Sequence, residues 1–387
     1  MRAVTWDGRQ DVDVADVPEP VIEATTDAIV DVTASGLCGS DLHLYRHLIP
    51  GMDRGDILGH EATGVVRETG PDVNTIKVGD TVVVPFNISC GMCAMCRQGL
   101  ESQCQTTQNT KFHRGGSLFG YTEQYGHIPG CQADTIRVPL ANHTTKRIRA
   151  ETPAHRAVLL ADVLPTAWQG VTYAEMEPGM CVAVFGLGPI GQMAARLAGR
   201  QGASVIGVDP VAERRAMAER HGATTIDPDV TDDVPGAIVD LTDGLGADRV
   251  IDCVGMEAEG SALDSVLQAT KVQPSRVTAL RHAIDAVRRG GTISILGVYA
   301  GPVQAFPLDQ LFDKQVALHM GQANVMRWMD DLIPLVEDPA DPLDLDDFVT
   351  HRLPLESAPY AYDMFQHKRQ GAVKVVFEPS PPVTITA

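Results

Sequence analysis

Over the first 160 or so positions, apolar and polar residues alternate in short runs. The segments AIVDVTAS, EATGVVRET and DTVVVPFNI keep a period of two and are separated by glycine and proline, as expected of half-buried strands joined by turns. They predict a twisted antiparallel sheet. From about residue 165 the pattern changes. CVAVFG is a continuous apolar run, followed by the helical GQMAARLAGRQ, the strand SVIGVD, the helical AERRAMAERH, a strand near RVIDCVG, the helix TALRHAIDAVRR and the strand TISILGVY. Apolar strands alternating with helices predict a parallel sheet covered on both faces. The last part of the chain returns to mixed helix and strand, and the tail EPSPPVTITA reads as loose or as an edge strand. The fold class is therefore α/β, a mostly-β part plus a doubly wound parallel sheet.

Composition narrows the function classes. The 387 residues suffice for two domains. The most apolar window, 180–198, is interrupted by three glycines and a proline, which speaks against a membrane span of about 20 uninterrupted apolar residues. The N-terminus MRAVTWDG reads as a strand rather than a secretory leader, so a cytoplasmic protein is expected. A net charge of −19 argues against nucleic-acid binding, which needs a basic footprint. The basic residues comprise 7 lysines and 24 arginines. That bias fits a hydrated, salt-tolerant surface or a GC-rich genome equally well. Eight cysteines in a cytoplasmic chain point to metal or catalytic roles rather than disulfides. Cys181 and Cys253 lie in apolar runs and read as core.

The segment CGMCAMCRQGLESQC places Cys90, Cys93, Cys96 and Cys104 in a C-x2-C-x2-C-x7-C spacing. Four soft thiolates on a short lobe suit a closed tetrahedral zinc site, which is structural because no coordination position stays open. An iron–sulfur cluster also uses tightly spaced cysteines, but no second cluster motif accompanies this one. Further on, the strand CVAVF runs into Gly186-Leu187-Gly188-Pro189-Ile190-Gly191, then a helix, then a second strand ending at Asp209. This is the context a dinucleotide turn requires. Gly186 would permit the turn, Gly188 the approach of the pyrophosphate and Gly191 the packing of helix on strand. The helix N-terminus would supply N–H groups to phosphate. Asp209 would bind ribose hydroxyls and repel a 2′-phosphate, so NAD is expected over NADP.

Ahead of the cysteine lobe stand GLCGSDLH, residues 36–43, and GHEATGVV, residues 59–66. With the lobe and the GLGPIG turn, these motifs occur in the order found in zinc-containing medium-chain alcohol dehydrogenases, and the chain resembles that family over nearly its whole length. The resemblance implies a GroES-like catalytic domain over 1–164 and 313–387, with its zinc lobe at about 88–106, around a Rossmann domain over 165–312 and an active site in the cleft between them. It implies Cys38 and His60 as ligands of a catalytic zinc. Where many relatives carry a second cysteine, this chain has Ala161-Asp162-Val163-Leu164-Pro165-Thr166. That segment is similar to glutathione-independent formaldehyde dehydrogenases, where aspartate takes the position, so Asp162 is the expected third ligand. Glu61 would approach the metal or pair with a cation, and Asp41 would orient a ligand imidazole. Ser40 and His43 match the proton relay, and Ser40 and Phe86 the substrate pocket. Thr166, Arg214, Val254, Leu296, Gly297, Val298 and Lys374 fall at cofactor-binding positions.

The expected chemistry is hydride transfer between a primary alcohol or aldehyde and NAD, with two zinc ions per chain. A formaldehyde dehydrogenase or dismutase with tightly held NAD is the alternative within the class, and a non-catalytic NAD-binding sensor the one outside it. Two insertions, residues 105–135 with His113, Tyr121 and Tyr125, and residues 255–280, resemble features of the formaldehyde branch. Family resemblance further implies a homo-oligomer, tetramer or dimer.

Overall fold

The computed structural model describes residues 1–255, 278–299 and 306–379. The chain forms two compact units, Met1–Pro165 with Ala323–Ala387, and Thr166–Gln322.

In the first unit the long strand Ala28–Leu37 organises the sheet. It pairs antiparallel with Ala62–Thr69, Thr135–Val138 and Val375–Glu378. Thr81–Val84 and Lys146–Arg147 extend the sheet on one side, and His351–Pro354 adds a parallel pair on the other. Its alternation sorts side chains between two cores. One gathers Val30, Val32, Val82, Phe119 and Val138, and the other Leu37, Leu44, Leu58, Tyr362 and Phe377. The strand ends at Leu37 and delivers Cys38 to the start of a helix, Gly39–Tyr45.

The second unit holds a six-stranded sheet among the described residues, every neighbouring pair parallel. Its order is Thr224–Ile226, Ser204–Val208, Cys181–Phe185, Ala247–Asp252, Val287–Ile295, Ala317–Met320. From Cys181–Phe185 the chain builds outward in one direction, then returns to place Ala247–Asp252 on the other side. The ends of these two strands flank the topological switch point, where open α/β sheets bind ligands.

Two boundaries differ from the sequence pattern. The helix expected through TALRHAIDAVRR stops at Ala286, and the next strand already begins at Val287. Val287 pairs with Ala247, a register shift follows, and pairing resumes at Arg249 with Thr292. Gly290, at φ 67°, lets the intervening residues bulge out while Arg288 Nε bonds Asp248 at 2.6 Å. The other difference lies at the return to the first unit. The strand Ala317–Met320 completes the parallel sheet, so the second unit runs to Gln322 rather than ending at 312. Most of the 255–280 insertion and of the tail from residue 380 lies outside the described residues.

The segment that leads to Asp162 is pinned from the C-terminal part of the same unit. Asp346 Oδ1 accepts from His155 Nε2 at 2.8 Å and from Arg156 Nε at 2.7 Å. These hydrogen bonds hold the Asp346 carboxyl well below the usual carboxylate range. A depressed folded-state value means the stabilisation is complete above the unfolded value of about 4 and is lost as pH falls through the folded one. Because Asp346 is more than half exposed, Asp346→Asn should cost only about 0.5–1 kcal/mol at pH 7. Urea unfolding should show that gap closing only once the pH falls below about 4; a gap that widens toward low pH would contradict the pairing.

Candidate active site

Cys38 sits at the N-cap of the helix Gly39–Tyr45, and Asp41 in that helix's first turn ties two donors together. Asp41 Oδ2 accepts from the Cys38 backbone N–H at 2.9 Å. Asp41 Oδ1 lies 3.0 Å from His60 Nδ1. The Nδ1–H therefore donates to Asp41, and Nε2 is left with its lone pair. That nitrogen lies 3.4 Å from Asp162 Oδ2, and the same oxygen is 3.3 Å from Cys38 Sγ. Ligand-type atoms of Cys38, His60, Glu61 and Asp162 all fall within 4.8 Å of one another, and all four residues are buried. Donors at 2.0–2.3 Å from a common tetrahedral centre stand roughly 3.3–3.7 Å apart. The spacings from Asp162 to Cys38 and to His60 fit that geometry.

The local sequence explains the convergence. Gly59, at φ 89°, has no room for a Cβ, which would meet Gln132 Cγ at 2.4 Å. The turn it permits aims His60 at Asp41. Gln132 donates to Gly36 O at 3.0 Å and accepts from Tyr362 Oη at 2.8 Å, which closes the buried polar network behind the donors. Asp162 follows the short turn Val158–Ala161 and precedes the helix Val163–Tyr173. The Phe86 N–H donates to Ala161 O at 3.2 Å, which brings Asp162 beside the strand end. Phe86 and Tyr121 both stand edge-on to His60, with ring centroids at 6.1 and 5.6 Å. Ser40 Oγ lies 3.3 Å from His60 Nε2. His43 is buried on the same helix, not at the surface.

The electrostatics of this cluster favour a cation. Burial and the Asp162 charge push the Cys38 thiol up. Burial opposes the charged form of His60, but Asp41 and Asp162 outweigh it and raise its affinity for a proton well above the ordinary value. A thiol, an imidazole and a carboxylate sharing one buried point are the donor set of a divalent metal of borderline softness.

Glu61 has a different partner. Lys374 Nζ bonds Glu61 Oε1 at 2.7 Å, Oε2 at 2.6 Å and Leu37 O at 3.2 Å, with no exposed side-chain area on either residue. Burial raises Glu61 to about 7 against the lowering effect of Lys374. Gly36 makes the space, since a Cβ there would fall 1.9 Å from Glu61 Oε2. Lys374, expected at a cofactor-binding position, directs its ammonium to Glu61 and Leu37.

The four cysteines of the lobe also converge, with their sulfurs within 4.8 Å of one another. Backbone N–H groups donate to the sulfurs, from Cys90 to Cys104 Sγ, from Met92 and Cys93 to Cys90 Sγ, and from Cys96 and Gln105 to Cys93 Sγ, all at 3.4–3.5 Å. Such bonds favour thiolate. Although its burial acts the other way, they bring Cys93 down to about 6.

In the second unit, Gly186 has φ 82°, and Gly188 N-caps the helix Pro189–Arg200. A Cβ on Gly191 would lie 1.7 Å from Gly186 O, so that position requires glycine. A Cβ on Gly188 would meet only the Arg214 guanidinium, at 3.7 Å. The helix N-terminus thus faces open space with a cation at its rim, a cradle for phosphate. Asp209 is buried; its carboxylate accepts from Leu187 N at 2.7 Å and Val211 N at 2.8 Å, with Arg214 Nη1 at 3.8 Å. Thr166 lies in the first turns of the helix Val163–Tyr173. Leu296 packs against that helix where Gly170 leaves room.

Asp252 carries no site expectation from sequence, yet it organises this end of the sheet. Its carbonyl accepts from Leu296 N and Gly297 N, both at 2.9 Å, and its carboxylate from Val254 N at 3.0 Å and Tyr299 Oη at 2.6 Å. Those bonds cross Gly255 over Gly297 so closely that neither has space for a Cβ. Tyr121 likewise carries no site expectation of its own beyond its place in the 105–135 insertion.

The chain is similar to known proteins over nearly its whole length. Residues 24–147 match the alcohol dehydrogenase GroES-like domain family and residues 189–275 the zinc-binding dehydrogenase family. An uncharacterized zinc-type alcohol dehydrogenase-like protein, AdhB, of Bacillus subtilis is 40% identical over 384 residues, 98% of this chain and 100% of that one. A glutathione-independent formaldehyde dehydrogenase of Pseudomonas aeruginosa is 30% identical over 388 residues, 94% of each chain. Among solved structures, alcohol dehydrogenase TADH from Thermus sp. ATN1 superposes with a TM-score of 0.84 at 33% identity, covering 98% of this chain and 100% of that one. Among the described residues no helix is long and apolar enough to cross a membrane.

Removing one member of a buried ion pair leaves the other charge uncompensated. Lys374→Met should therefore destabilise the first unit by roughly 3–5 kcal/mol, and the double variant Glu61→Gln/Lys374→Met by much less. Denaturant unfolding of the two variants checks this, and equal losses would mean the pair is not coupled.

Proposed function

The chain belongs to the zinc-type alcohol dehydrogenase family and is an oxidoreductase, and from that premise we propose that it transfers a hydride between a primary alcohol or its aldehyde and NAD, with two zinc ions per chain. The observation that supports this most is the triangle of Cys38 Sγ, His60 Nε2 and Asp162 Oδ2, with edges of 3.3 and 3.4 Å on Asp162. Those three residues would hold the catalytic zinc, and Cys90, Cys93, Cys96 and Cys104 a structural one. When bound, the catalytic zinc supplies a Lewis acid that lets a substrate hydroxyl give up its proton near neutral pH. Ser40 Oγ, beside His60, receives that proton and passes it toward His43, whose imidazole suits the outer step. Asp41 fixes the His60 tautomer throughout. Phe86 walls the substrate.

For NAD, the turn Gly186 to Gly191 and Arg214 take the phosphates, and Asp209 the adenosine ribose. Thr166, Val254, Leu296, Gly297 and Val298 hold the nicotinamide end. Lys374 belongs to this set by resemblance, with its ammonium positioned by Glu61 and Leu37. Asp209 disfavours a 2′-phosphate, whereas Arg214 beside it would attract one, so the preference for NAD rests on the carboxylate. A cytoplasmic homo-oligomer, dimer or tetramer, completes the proposal.

Oxidation or dismutation of formaldehyde is the second reading. It is favoured by the carboxylate donor at 162 and by the formaldehyde dehydrogenase relative. Assembly of all three donors weighs against a non-catalytic NAD sensor.

Asp162→Ala should leave one zinc of two per chain by elemental analysis and lower kcat by at least about a thousandfold. Retention of both ions would refute the ligand assignment. Asp209→Ser should move the NAD-to-NADP ratio of kcat/KM toward NADP by about tenfold, or about 1.4 kcal/mol; unchanged discrimination would remove Asp209 from the cofactor site.

A further inference from the structure

The insertion 105–135 contributes one side chain to the neighbourhood of the metal donors, Tyr121. Two glycines bring it there. A Cβ on Gly120, at φ 63°, would fall 2.3 Å from Gly59 O, so the two backbones approach closely only because Gly120 lacks a side chain. Gly120 N bonds Ile128 O at 3.0 Å, Leu118 N bonds Tyr125 O at 3.0 Å, and Thr122 caps the next turn. Tyr121 therefore stands on a fixed turn. Its ring meets the His60 imidazole edge to face, with centroids 5.6 Å apart.

Tyr121 also lines a solvent-open pocket of about 270 Å³. Met52, Ile57, Ile128 and Pro129 make the rest of its wall largely apolar. Asp56 and His127, joined at 2.7 Å, stand at its polar rim. Tyr121 thus borders both the metal donors and this pocket.

We propose that Tyr121 is a specificity-determining residue, the partition between the metal donors and the Met52–Ile57–Ile128–Pro129 pocket, and that it sets the length of substrate the enzyme accepts. This rests on the alcohol reading above. With the ring in place, only small primary alcohols fit beside Ser40 and His60. With the ring removed, an apolar tail of several carbons reaches the pocket, and each methylene it buries adds about fourfold in affinity.

The test compares wild type, Tyr121→Phe, Tyr121→Leu and Tyr121→Ala, each with its zinc content measured. Two readouts are taken: kcat/KM on ethanol, butan-1-ol and hexan-1-ol with NAD, and calorimetric binding of hexan-1-ol, which needs no turnover. Tyr121→Ala should raise the hexanol-to-ethanol ratio of kcat/KM by at least about tenfold and tighten hexan-1-ol binding. Tyr121→Leu, which keeps an apolar filler and a more native fold, should move the same way by less. Tyr121→Phe keeps the partition, so its ratio stays within about twofold of wild type. An unchanged ratio and unchanged hexan-1-ol affinity in both the alanine and leucine variants overturn the proposal. So does a phenylalanine variant that shifts the ratio as far as alanine does. A wild-type protein that oxidises none of the alcohols overturns the activity reading alone, and the calorimetric comparison still decides the partition.

Discussion

Asp41 is the side chain on which the first unit's chemistry depends. It is fully buried, and its two oxygens serve different partners, the Cys38 backbone and the His60 ring. One carboxylate thereby fixes the position of a sulfur and the tautomer of an imidazole together. Gly36 and Gly59 clear the space that Glu61 and Gln132 fill. Asp162 then completes the donor set from a separate stretch of chain, pinned by His155 and Arg156 to Asp346. A thiol, an imidazole and a carboxylate at one buried point are mutually unfavourable without positive charge. Lys374 supplies that charge for Glu61, and in the proposed reading a zinc ion supplies it for the other three.

The two proposed metal centres are built differently. The cysteine lobe draws all four donors from fifteen consecutive residues, and its own backbone N–H groups stabilise the sulfurs. Such a site forms from local sequence and offers no open position to a substrate. The Cys38, His60 and Asp162 donors come from a strand end, a glycine turn and a helix entry far apart in sequence. The surrounding sheet must place them, and in exchange the site borders on Ser40, Phe86 and Tyr121, side chains that a substrate would meet.

That contrast also explains what could be read from sequence. The cysteine spacing and the GLGPIG turn are local patterns, and the strand alternation around Ala28–Leu37 reports its own burial. Asp162 was legible only through resemblance, because nothing in ADVLPT by itself points to a metal. The partner of Lys374 was not legible at all. Residue 61 and residue 374 meet only once the strands Ala28–Leu37 and Val375–Glu378 pair. Tyr121 and Asp252 are similar cases. Each acts through a close approach between glycines, Gly59 with Gly120 and Gly255 with Gly297, and a single chain does not announce which of its 36 glycines will touch. The missed start of the strand at Val287 came from a bulge, where Gly290 interrupts the helical periodicity without interrupting the sheet.

Zinc K-edge X-ray absorption on the purified protein tests the central claim most directly, because it counts donor types rather than ions. Two centres, one with four sulfurs and one with a single sulfur plus nitrogen and oxygen, predict about two and a half sulfurs per zinc at about 2.3 Å, with the remaining donors near 2.0–2.1 Å. In a Cys93→Ser variant, the surviving ion should show one sulfur and lighter donors. Four sulfurs per zinc in the wild type, with no nitrogen or oxygen shell, would mean that only the lobe binds metal and that Cys38, His60 and Asp162 do not form a catalytic centre.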